Sequence, residues 1–516
     1  MRKLFYLLLI VSAFGIISCK KDKKNAGTTI GPSKQGSTLD LIRDSIYLYA
    51  KEDYLWYDGL PDYATFNPRG ITGSDDITAL TNEVNQISQY KINPLTNKPY
   101  EYYAPSPGEA KYSFIDDGSV STELNGTRGD FGFAPLYNDI NDLRVKYVYP
   151  GSPADLAGIK RGYQITSING RTSFAYDGES GANVQFVVNA YSNSNSIALV
   201  LKKPDGTSMT TTLNLAIYTS NPVLTYKVFD QGNGKKVGYI VFNSFTSDDI
   251  ADPKLNTAFN YFASNNVTDL VVDLRYNGGG YVSTAEYLDN LIVPTAKNNT
   301  LMYSTYFNDK LTAGKAPLLA NQVRVDPTTK RSYNYGQLDY SVAGNAVNFS
   351  KVGLLNINRV FFIVTGSTAS ASELTINNLI PVMDVKLIGT TSYGKPVGFF
   401  DIDINKYQLY IPEFSTKNSA AQGDYYAGMT PGSATYPGVT DYDDVTKDFG
   451  DATEGLLAHA LNYVKTGTYT AQTQAQNQLL GSDLHTFSMT QSRDAALQMG
   501  NHEFSGMIFN KRLKVK

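Results

Sequence analysis

A serine and a lysine in this chain have neighbours that would suit nucleophilic catalysis. Ser370 lies in the small-residue segment Gly366-Ser367-Thr368-Ala369-Ser370-Ala371-Ser372-Glu373, and Lys395 follows 25 residues later within Tyr393-Gly394-Lys395-Pro396. A serine hydroxyl becomes a nucleophile when a base accepts its proton, and a lysine can be that base once burial lowers its pKa by several units. The apolar neighbours of Lys395 favour such burial, so the pair predicts a serine–lysine hydrolase.

The serine is predicted to lie where a buried strand turns into a helix. The apolar run Val360-Phe361-Phe362-Ile363-Val364 precedes it, and the segment from Leu374 to Ile380 has helical character. The first turn of a helix offers backbone N–H groups that have no partner inside the helix. A substrate would therefore meet Ser370 at a helix N-terminus.

A second junction of strand and helix carries three consecutive glycines. The strand Asp269 to Leu274 leads into Arg275-Tyr276-Asn277-Gly278-Gly279-Gly280, and a helical run follows from Ser283 to Ile292. Glycines allow consecutive N–H groups to converge on an anion. The spacing lacks the Gly-x-Gly-x-x-Gly of a nucleotide site, so the oxyanion of a tetrahedral acyl intermediate fits better.

The lysine also lies in a partial P-loop pattern. Gly389 to Lys395 matches its first seven positions, but Pro396 replaces the hydroxyl that binds magnesium. The residues after Pro396 alternate like a strand and do not open a helix. We therefore predict no nucleotide binding.

Histidine is the alternative base. The chain contains His459, His485 and His502, all C-terminal to Ser370, but no Gly-x-Ser-x-Gly elbow surrounds the serine. His459 lies in an amphipathic helix, and the other two lie in a tail beyond a Thr/Gln-rich stretch. We expect all three to be structural or solvated.

The region from about Glu123 to Leu215 consists of short alternating strands. Gly151 to Lys160 is typical of a short capped helix, and Gly162 to Gly170 of a strand that closes in an Asn-Gly turn. These residues resemble a PDZ domain, a family that binds peptide C-termini through backbone N–H groups of a loop and by strand addition. The resemblance implies that the loop is Phe131, Gly132 and Phe133. A PDZ module that only positions its neighbours is the alternative.

Together these motifs resemble the C-terminal processing, or tail-specific, serine peptidases. The resemblance rests on Ser-x-Ala-Ser-Ala-Ser-Glu, the glycine–lysine turn, Asp-Leu-Arg-x-Asn-Gly-Gly-Gly and the PDZ-like segment, over about Glu123 to Lys465. The helical segment before it resembles the N-terminal domain of secreted Bacteroidetes-type members.

The resemblance implies a role for each matching residue. Ser370 would be the nucleophile, Lys395 the general base, Ala371 with Gly279 or Gly280 the oxyanion donors, and Glu373 and Ser392 supporting residues. One position departs from the pattern, because many relatives carry a glutamine four residues after the lysine to orient it and this chain has Phe399. Another polar group must then hold the lysine, or the enzyme is slower, or the orienting group is dispensable.

The N-terminus resembles a bacterial lipoprotein signal. Met1-Arg2-Lys3 is basic, Leu4 to Ile17 is apolar but shorter than a membrane span of about 20 residues, and Ile16-Ile17-Ser18-Cys19 resembles a lipobox. We expect residues 1–19 to be a signal peptide, Cys19 to be lipidated and residues 20–37 to form a flexible tether. The chain would then be exported and lipid-anchored in the cell envelope, facing the periplasm or lying on the outer-membrane surface. A plain signal peptide with a chance cysteine is the alternative.

The fold class predicted is multidomain α/β. We expect a small N-terminal helical domain at 38–118, a PDZ-like β-rich domain at 123–215, a peptidase core at 220–467 and a C-terminal extension at 468–516. The resemblance implies that the core is crotonase-like. Residues 297–350 are predicted to be a lid or an insertion near the site.

Composition and charge limit the classes of partner and cofactor that the chain is expected to bind. The net charge of −3 does not favour nucleic acid, and the single cysteine excludes disulfides within the chain and a cysteine metal site. Asp441-Tyr442-Asp443-Asp444 lacks the glycine of a calcium loop and is interpreted as a solvated turn.

We predict an endopeptidase that acts through an acyl-enzyme on polypeptides, needs no metal or organic cofactor, and recognises C-termini or unfolded chains. The alternatives are a catalytically weak or inactive peptide-binding scaffold and a serine hydrolase acting on a non-peptide ester or a glycan.

Overall fold

The computed structural model describes residues 32–178, 180–326, 329–470 and 506–509. Cys19 and the predicted signal peptide lie outside the described residues, as do His485 and His502. No helix among the described residues is long and apolar enough to cross a membrane.

The N-terminal region begins with a helix where the sequence predicts one. Ser37 caps it, because its Oγ accepts from the Asp40 N–H at 3.1 Å and its own N–H donates to the Asp40 carboxylate at 2.9 Å. The elements of this region are α1 (Thr38–Glu52), α2 (Tyr63–Phe66), α3 (Asp76–Ser88), β1 (Ile92–Asn93), β2 (Lys98–Pro99), β3 (Phe114–Asp116) and α4 (Ser119–Leu124).

The second region contains a five-stranded antiparallel sheet in the order β5-β6-β7-β8-β9. The predicted Asn-Gly turn is present, since Asn169 and Gly170 have φ of 50° and 81°. The elements are β4 (Thr127–Asp130), β5 (Phe133–Asp139), β6 (Asp142–Val148), α5 (Pro153–Leu156), β7 (Gln164–Ile168), α6 (Ala182–Ser192), β8 (Ser196–Lys202), β9 (Ser208–Asn214) and β10 (Ala216–Thr219).

The third region alternates strands and helices, as the apolar runs predict. Its first elements are β11 (Val223–Asp230), β12 (Lys236–Phe242), α7 (Asp248–Ser264), β13 (Asp269–Asp273), β14 (Gly279–Tyr281), α8 (Val282–Ile292), β15 (Leu301–Phe307), α9 (Asp309–Thr312), β16 (Val323–Val325), β17 (Ser332–Asn334) and β18 (Ala346–Asn348). The remaining elements are β19 (Arg359–Val364), α10 (Ala371–Leu379), β20 (Asp384–Gly389), β21 (Val397–Gly398), β22 (Ile402–Ile404), β23 (Tyr407–Tyr410), β24 (Phe414–Asn418), β25 (Gly438–Thr440), α11 (Gly455–Thr466) and β26 (Gly506–Ile508).

A six-stranded sheet in the order β11-β12-β13-β19-β20-β25 organises this region. The pairs from β12 to β25 are parallel, and β11 is antiparallel to β12. Successive side chains of a strand point to opposite faces. In β19, Val360 and Phe362 accordingly pack in the cluster that holds α7, α8 and α10, whereas Phe361 and Ile363 pack in the cluster that holds α11.

The N-terminal helices share a hydrophobic cluster with the third region. Ile46 of α1 and Leu80 of α3 belong to the same buried cluster as Ile402 and Leu409, and β3 pairs with β23. Residues 297–350 contribute β15 and β18 to the sheet β18-β15-β24-β21. This stretch is thus built into the sheets around the site.

The acidic segment Asp441 to Asp444 makes buried contacts with both the second and the third region, and its interpretation as a solvated turn is wrong. Asp441 is fully buried and lies 2.8 Å from Nε2 of His459. Asp443 forms ion pairs with Arg161 and Arg275. These arginines lie far away in sequence, so the local pattern gave no sign of them.

Candidate active site

Three loops meet at one edge of the six-stranded sheet. The glycine run follows β13, Ser370 follows β19, and Lys395 follows β20, and these three strands are neighbours with parallel pairing. Carboxyl ends of parallel strands lie at the same edge, where ligand sites of open α/β sheets form. The topology therefore brings together the residues that the sequence singled out.

Ser370 has a strained backbone at the start of α10. Its φ of 58° and ψ of −105° lie in a region that residues other than glycine rarely adopt. The side chain is fully buried, and its Oγ has no hydrogen-bond partner within the described part of the chain. A nucleophile held on a sharp turn from strand to helix has this character.

The carboxylate of Glu373 joins the serine loop to the lysine loop. Its Oε2 accepts from the backbone N–H groups of Ser370 at 2.9 Å and of Lys395 at 2.8 Å. Its Oε1 accepts from the N–H of Gly394 at 2.7 Å and from the Ser392 hydroxyl, which in turn accepts from the Met429 N–H at 2.8 Å. Burial raises the pKa of Glu373, and these four donors oppose that rise.

Lys395 is buried, as its apolar neighbours predict. Burial lowers the pKa of Lys395 to about 7, and the Lys111 ammonium acts in the same direction, while the carboxylates of Glu101 and Glu373 oppose it. A substantial fraction of this lysine is then neutral at physiological pH and able to accept a proton.

The lysine turn is held by a segment that the sequence analysis missed. The Tyr112 hydroxyl and the Lys111 ammonium both donate to the Gly394 carbonyl, at 2.6 and 3.1 Å. The Tyr112 carbonyl lies 3.5 Å from the Lys395 Nζ, and Tyr112 is itself fixed because its N–H donates to buried Glu101 at 3.0 Å. No local pattern links these residues, since about 280 positions separate them from Lys395.

Phe399 stands four residues after the lysine, where the resemblance implies an orienting glutamine. Its ring centroid lies 4.2 Å from the Lys395 Nζ, so the ring face contacts the ammonium directly. Such contact favours the charged form modestly. Phe399 thus offers the Lys395 Nζ an aromatic face, whereas the Tyr112 carbonyl offers it a polar contact.

The predicted oxyanion donors differ in availability. Ala371 opens α10, so its N–H is one of the first-turn donors that lack a partner inside the helix. The Gly279 N–H already donates to the Asn277 side chain at 2.9 Å. Gly279 and Gly280 have φ of 112° and 136°, and a Cβ at either position would lie 2.1 Å from a carbonyl oxygen, so the loop requires glycine at both.

In the predicted peptide loop of the second region, Gly132 already has an anionic partner. Its N–H donates to Asp130 at 2.7 Å, and the carboxylate of Asp130 also accepts from Tyr218. Phe131 and Phe133 are buried, and both rings contact Tyr191 of α6. A peptide carboxylate that used the Gly132 N–H would have to displace Asp130.

His459 is a structural residue of α11. Its Nδ1 lies 2.6 Å from the Thr470 hydroxyl and its Nε2 contacts Asp441. Among the described residues, no group of three or more His, Cys, Asp or Glu side chains is placed to hold a metal ion.

Comparison with known proteins agrees with this architecture. Residues 236–418 match the family described as Peptidase family S41, and residues 144–195 match the PDZ domain. A carboxyl-terminal-processing protease of Picosynechococcus sp. (strain ATCC 27264 / PCC 7002 / PR-6) is 28% identical over 212 residues, which are 40% of this chain and 49% of that protein. The chloroplastic C-terminal processing peptidase of Tetradesmus obliquus is 26% identical over 300 residues, 55% of each chain.

The fold likeness extends further than the sequence likeness. The crystal structure of an S41 protease from Bacteroides fragilis NCTC 9343 has a TM-score of 0.52 and 24% identity, and covers 82% of this chain and 97% of that one. The chain spans about half the length of the two sequence relatives it matches. These findings confirm the resemblance to C-terminal processing peptidases with a PDZ domain, and the multidomain α/β fold class.

Proposed function

We propose that the chain is a serine endopeptidase that cleaves polypeptides through an acyl-enzyme, with Ser370 as nucleophile and Lys395 as general base. The observation that carries this proposal is the convergence on Glu373, because one oxygen of this carboxylate accepts from the backbone N–H groups of both residues. Because the pKa of Lys395 is lowered to about 7, its neutral amine is available as the base at physiological pH.

The first half of the reaction transfers the acyl group to the enzyme. Neutral Lys395 accepts the hydroxyl proton as the Ser370 Oγ attacks the scissile carbonyl carbon. The N–H of Ala371 donates to the oxyanion that forms, and the glycine loop lies beside it. The intermediate collapses, the C–N bond breaks, and protonated Lys395 returns the proton to the leaving amine.

The second half releases the product and restores the enzyme. A water molecule attacks the ester carbonyl, its proton passes to Lys395, and the Ala371 N–H stabilises the second oxyanion. The ester C–O bond then breaks, and the proton from Lys395 returns to Ser370. No metal or organic cofactor takes part in this proposed sequence.

We further propose that the substrates are polypeptides recognised by their C-termini or in unfolded regions. The PDZ match and the processing activity named for the two sequence relatives support this class. Phe131, Gly132 and Phe133 would receive the peptide, with Asp130 leaving the Gly132 N–H. Export and lipid anchoring through Cys19 are proposed from the N-terminal signal alone.

The test compares residues 25–516 with its Ser370→Ala and Lys395→Ala variants on an unfolded protein that ends in apolar residues. We expect the wild type to cleave it and each variant to lose at least about 10³-fold in kcat/KM. Ser208→Ala and Lys254→Ala, which change exposed residues, serve as matched controls.

Three other results would contradict the proposal. If the wild type binds C-terminal peptides but cleaves nothing, the chain is a peptide-binding scaffold. If cleavage survives Lys395→Ala, another base must be sought. An ester or glycan substrate that is turned over while peptides are not would assign a different hydrolase.

A further inference from the structure

A short C-terminal strand lies in the groove beside Ser370. In β26, Gly506, Met507 and Ile508 pair in parallel with Gly279, Gly280 and Tyr281 of β14. The Gly506 N–H donates to the Gly278 carbonyl at 2.9 Å. This strand therefore runs along the glycine loop that lies next to the nucleophile.

The opposite edge of β26 is bonded to the lysine side of the site. The Phe399 N–H donates to the Met507 carbonyl at 2.9 Å, and the Phe509 N–H donates to the Phe399 carbonyl at 2.7 Å. Both edges of the segment are thus held by main-chain groups. Main-chain bonding of this kind does not depend on side-chain identity, so another extended polypeptide could make the same bonds.

The strand carries a carbonyl group to the same side of Gly279 as the predicted oxyanion donor Ala371. The Gly506 oxygen lies 2.1 Å from the point where a Cβ on Gly279 would stand, and the Ala371 nitrogen lies 3.1 Å from the same point. The Ser370 hydroxyl nearby is fully buried. A substrate carbonyl has to lie close to both the nucleophile and an N–H donor in order to react.

The side chains of the segment fill defined apolar spaces. Met507 is fully buried, and its Cγ would lie 2.6 Å from a Cβ at Gly398, so glycine there makes room for it. Ile508 is buried on the other face, in the cluster of the N-terminal helices. The Phe509 ring lies 5.5 Å from Phe414.

We propose that this groove, between β14 and Phe399, binds the substrate as an extended strand, and that residues 506–509 of the chain itself occupy it as a tethered competitor. The groove would take a polypeptide with a small residue at the place of Gly506, followed by two apolar residues. Because the segment belongs to the same chain, its effective concentration at the groove is high and an external peptide must displace it. This inference rests on the proposed peptidase function.

The test weakens the docked segment within the full chain. Met507→Glu places a charge in an apolar pocket, and Gly506→Pro removes the N–H that bonds to Gly278. We expect each variant to raise kcat/KM for a fluorogenic apolar peptide about ten-fold. Leu354→Glu, which adds the same charge at a side chain that is 89% exposed, is expected to leave kcat/KM unchanged.

A binding measurement separates this inference from the proposed reaction. In a Ser370→Ala background, fluorescence anisotropy would follow a labelled peptide with the sequence of residues 503–511. We expect binding at least ten-fold tighter after Met507→Glu or Gly506→Pro than without them. If binding tightens but no variant cleaves any peptide, the peptidase proposal fails and the groove assignment stands.

The opposite result would overturn the assignment. Unchanged peptide binding, or lower kcat/KM together with a lower thermal midpoint in both tail variants, would show that β26 is a permanent structural strand. Gly506→Pro adds no buried charge, so it answers the question even if Met507→Glu fails to fold.

Discussion

At the scale of single residues, burial determines whether Lys395 can act as a base. Its pKa of about 7 predicts that kcat/KM rises with pH through about 7 and levels off above it, since only the neutral amine accepts a proton. The Glu101 carboxylate raises the pKa of Lys395, so Glu101→Gln is expected to move this rise to lower pH. Initial rates between pH 5 and 9 measure the shift, and Glu109→Gln at an exposed position is the control. A rise that moves to higher pH would contradict the assignment.

Phe399 gives a second prediction at this scale. Replacing the ring with leucine keeps the site apolar but removes the ring face 4.2 Å from the Lys395 Nζ. A contact of about 0.5–1 kcal/mol corresponds to about half a pKa unit. We therefore expect Phe399→Leu to move the rise in kcat/KM to lower pH by about that amount. Phe400→Leu, a neighbouring buried change, should leave its position unaltered, and an equal shift in both variants would argue against a ring effect.

At the scale of elements, Glu373 sets the relative position of α10 and the lysine turn. In Glu373→Gln, the amide nitrogen would face two of the four donors that now reach the carboxylate. Each unsatisfied buried donor costs about 1–3 kcal/mol, and a small misplacement of the base costs about 10²-fold in rate. We expect a lower thermal midpoint and a kcat about 10²-fold lower, with KM little changed. A higher KM with an unchanged kcat would instead place Glu373 outside this positioning role.

The same scale shows what local sequence can predict. The apolar runs before Gly278 and Ser370 correctly predict β13, β19 and the helices that follow them, because the periodicities of strands and helices are local properties of the sequence. That β13, β19 and β20 are neighbours depends on pairings between distant segments. For the same reason, local sequence could not predict that Tyr112 contacts the lysine turn or that a strand at Gly506 pairs with the glycine loop.

At the scale of the whole molecule, one ionic network joins the PDZ-like region to the third region, which holds the candidate active site. Asp443 bridges Arg161, which follows α5, and Arg275, which immediately precedes the loop that ends in Gly279 and Gly280. Arg275 also pairs with Asp273 and Glu454, whereas Asp443 is the acidic partner of Arg161 within the described residues. Loss of the Asp443 charge should therefore affect Arg161 most.

This arrangement predicts how stability responds to substitution and to pH. Asp443→Asn leaves Arg161 buried without an acidic partner and should destabilise the fold by about 3 kcal/mol. Arg161→Met combined with Asp443→Asn should recover part of that loss, whereas Asp444→Asn at the adjacent turn should cost little. Burial raises the pKa of Asp443, but the two arginines outweigh it and lower this pKa from 3.8 to about 2. The stabilising contribution of the carboxylate is therefore complete above pH 3.8 and is lost as the pH falls through 2. Thermal unfolding between pH 2 and 7 would show a smaller loss of stability across this window in Asp443→Asn than in the wild type. If the single and double variants unfold at the same midpoint, Arg161 and Asp443 are not coupled, and the PDZ-like region is joined to the third region by its other contacts, such as the hydrogen bond from Asn243 to the Tyr149 hydroxyl.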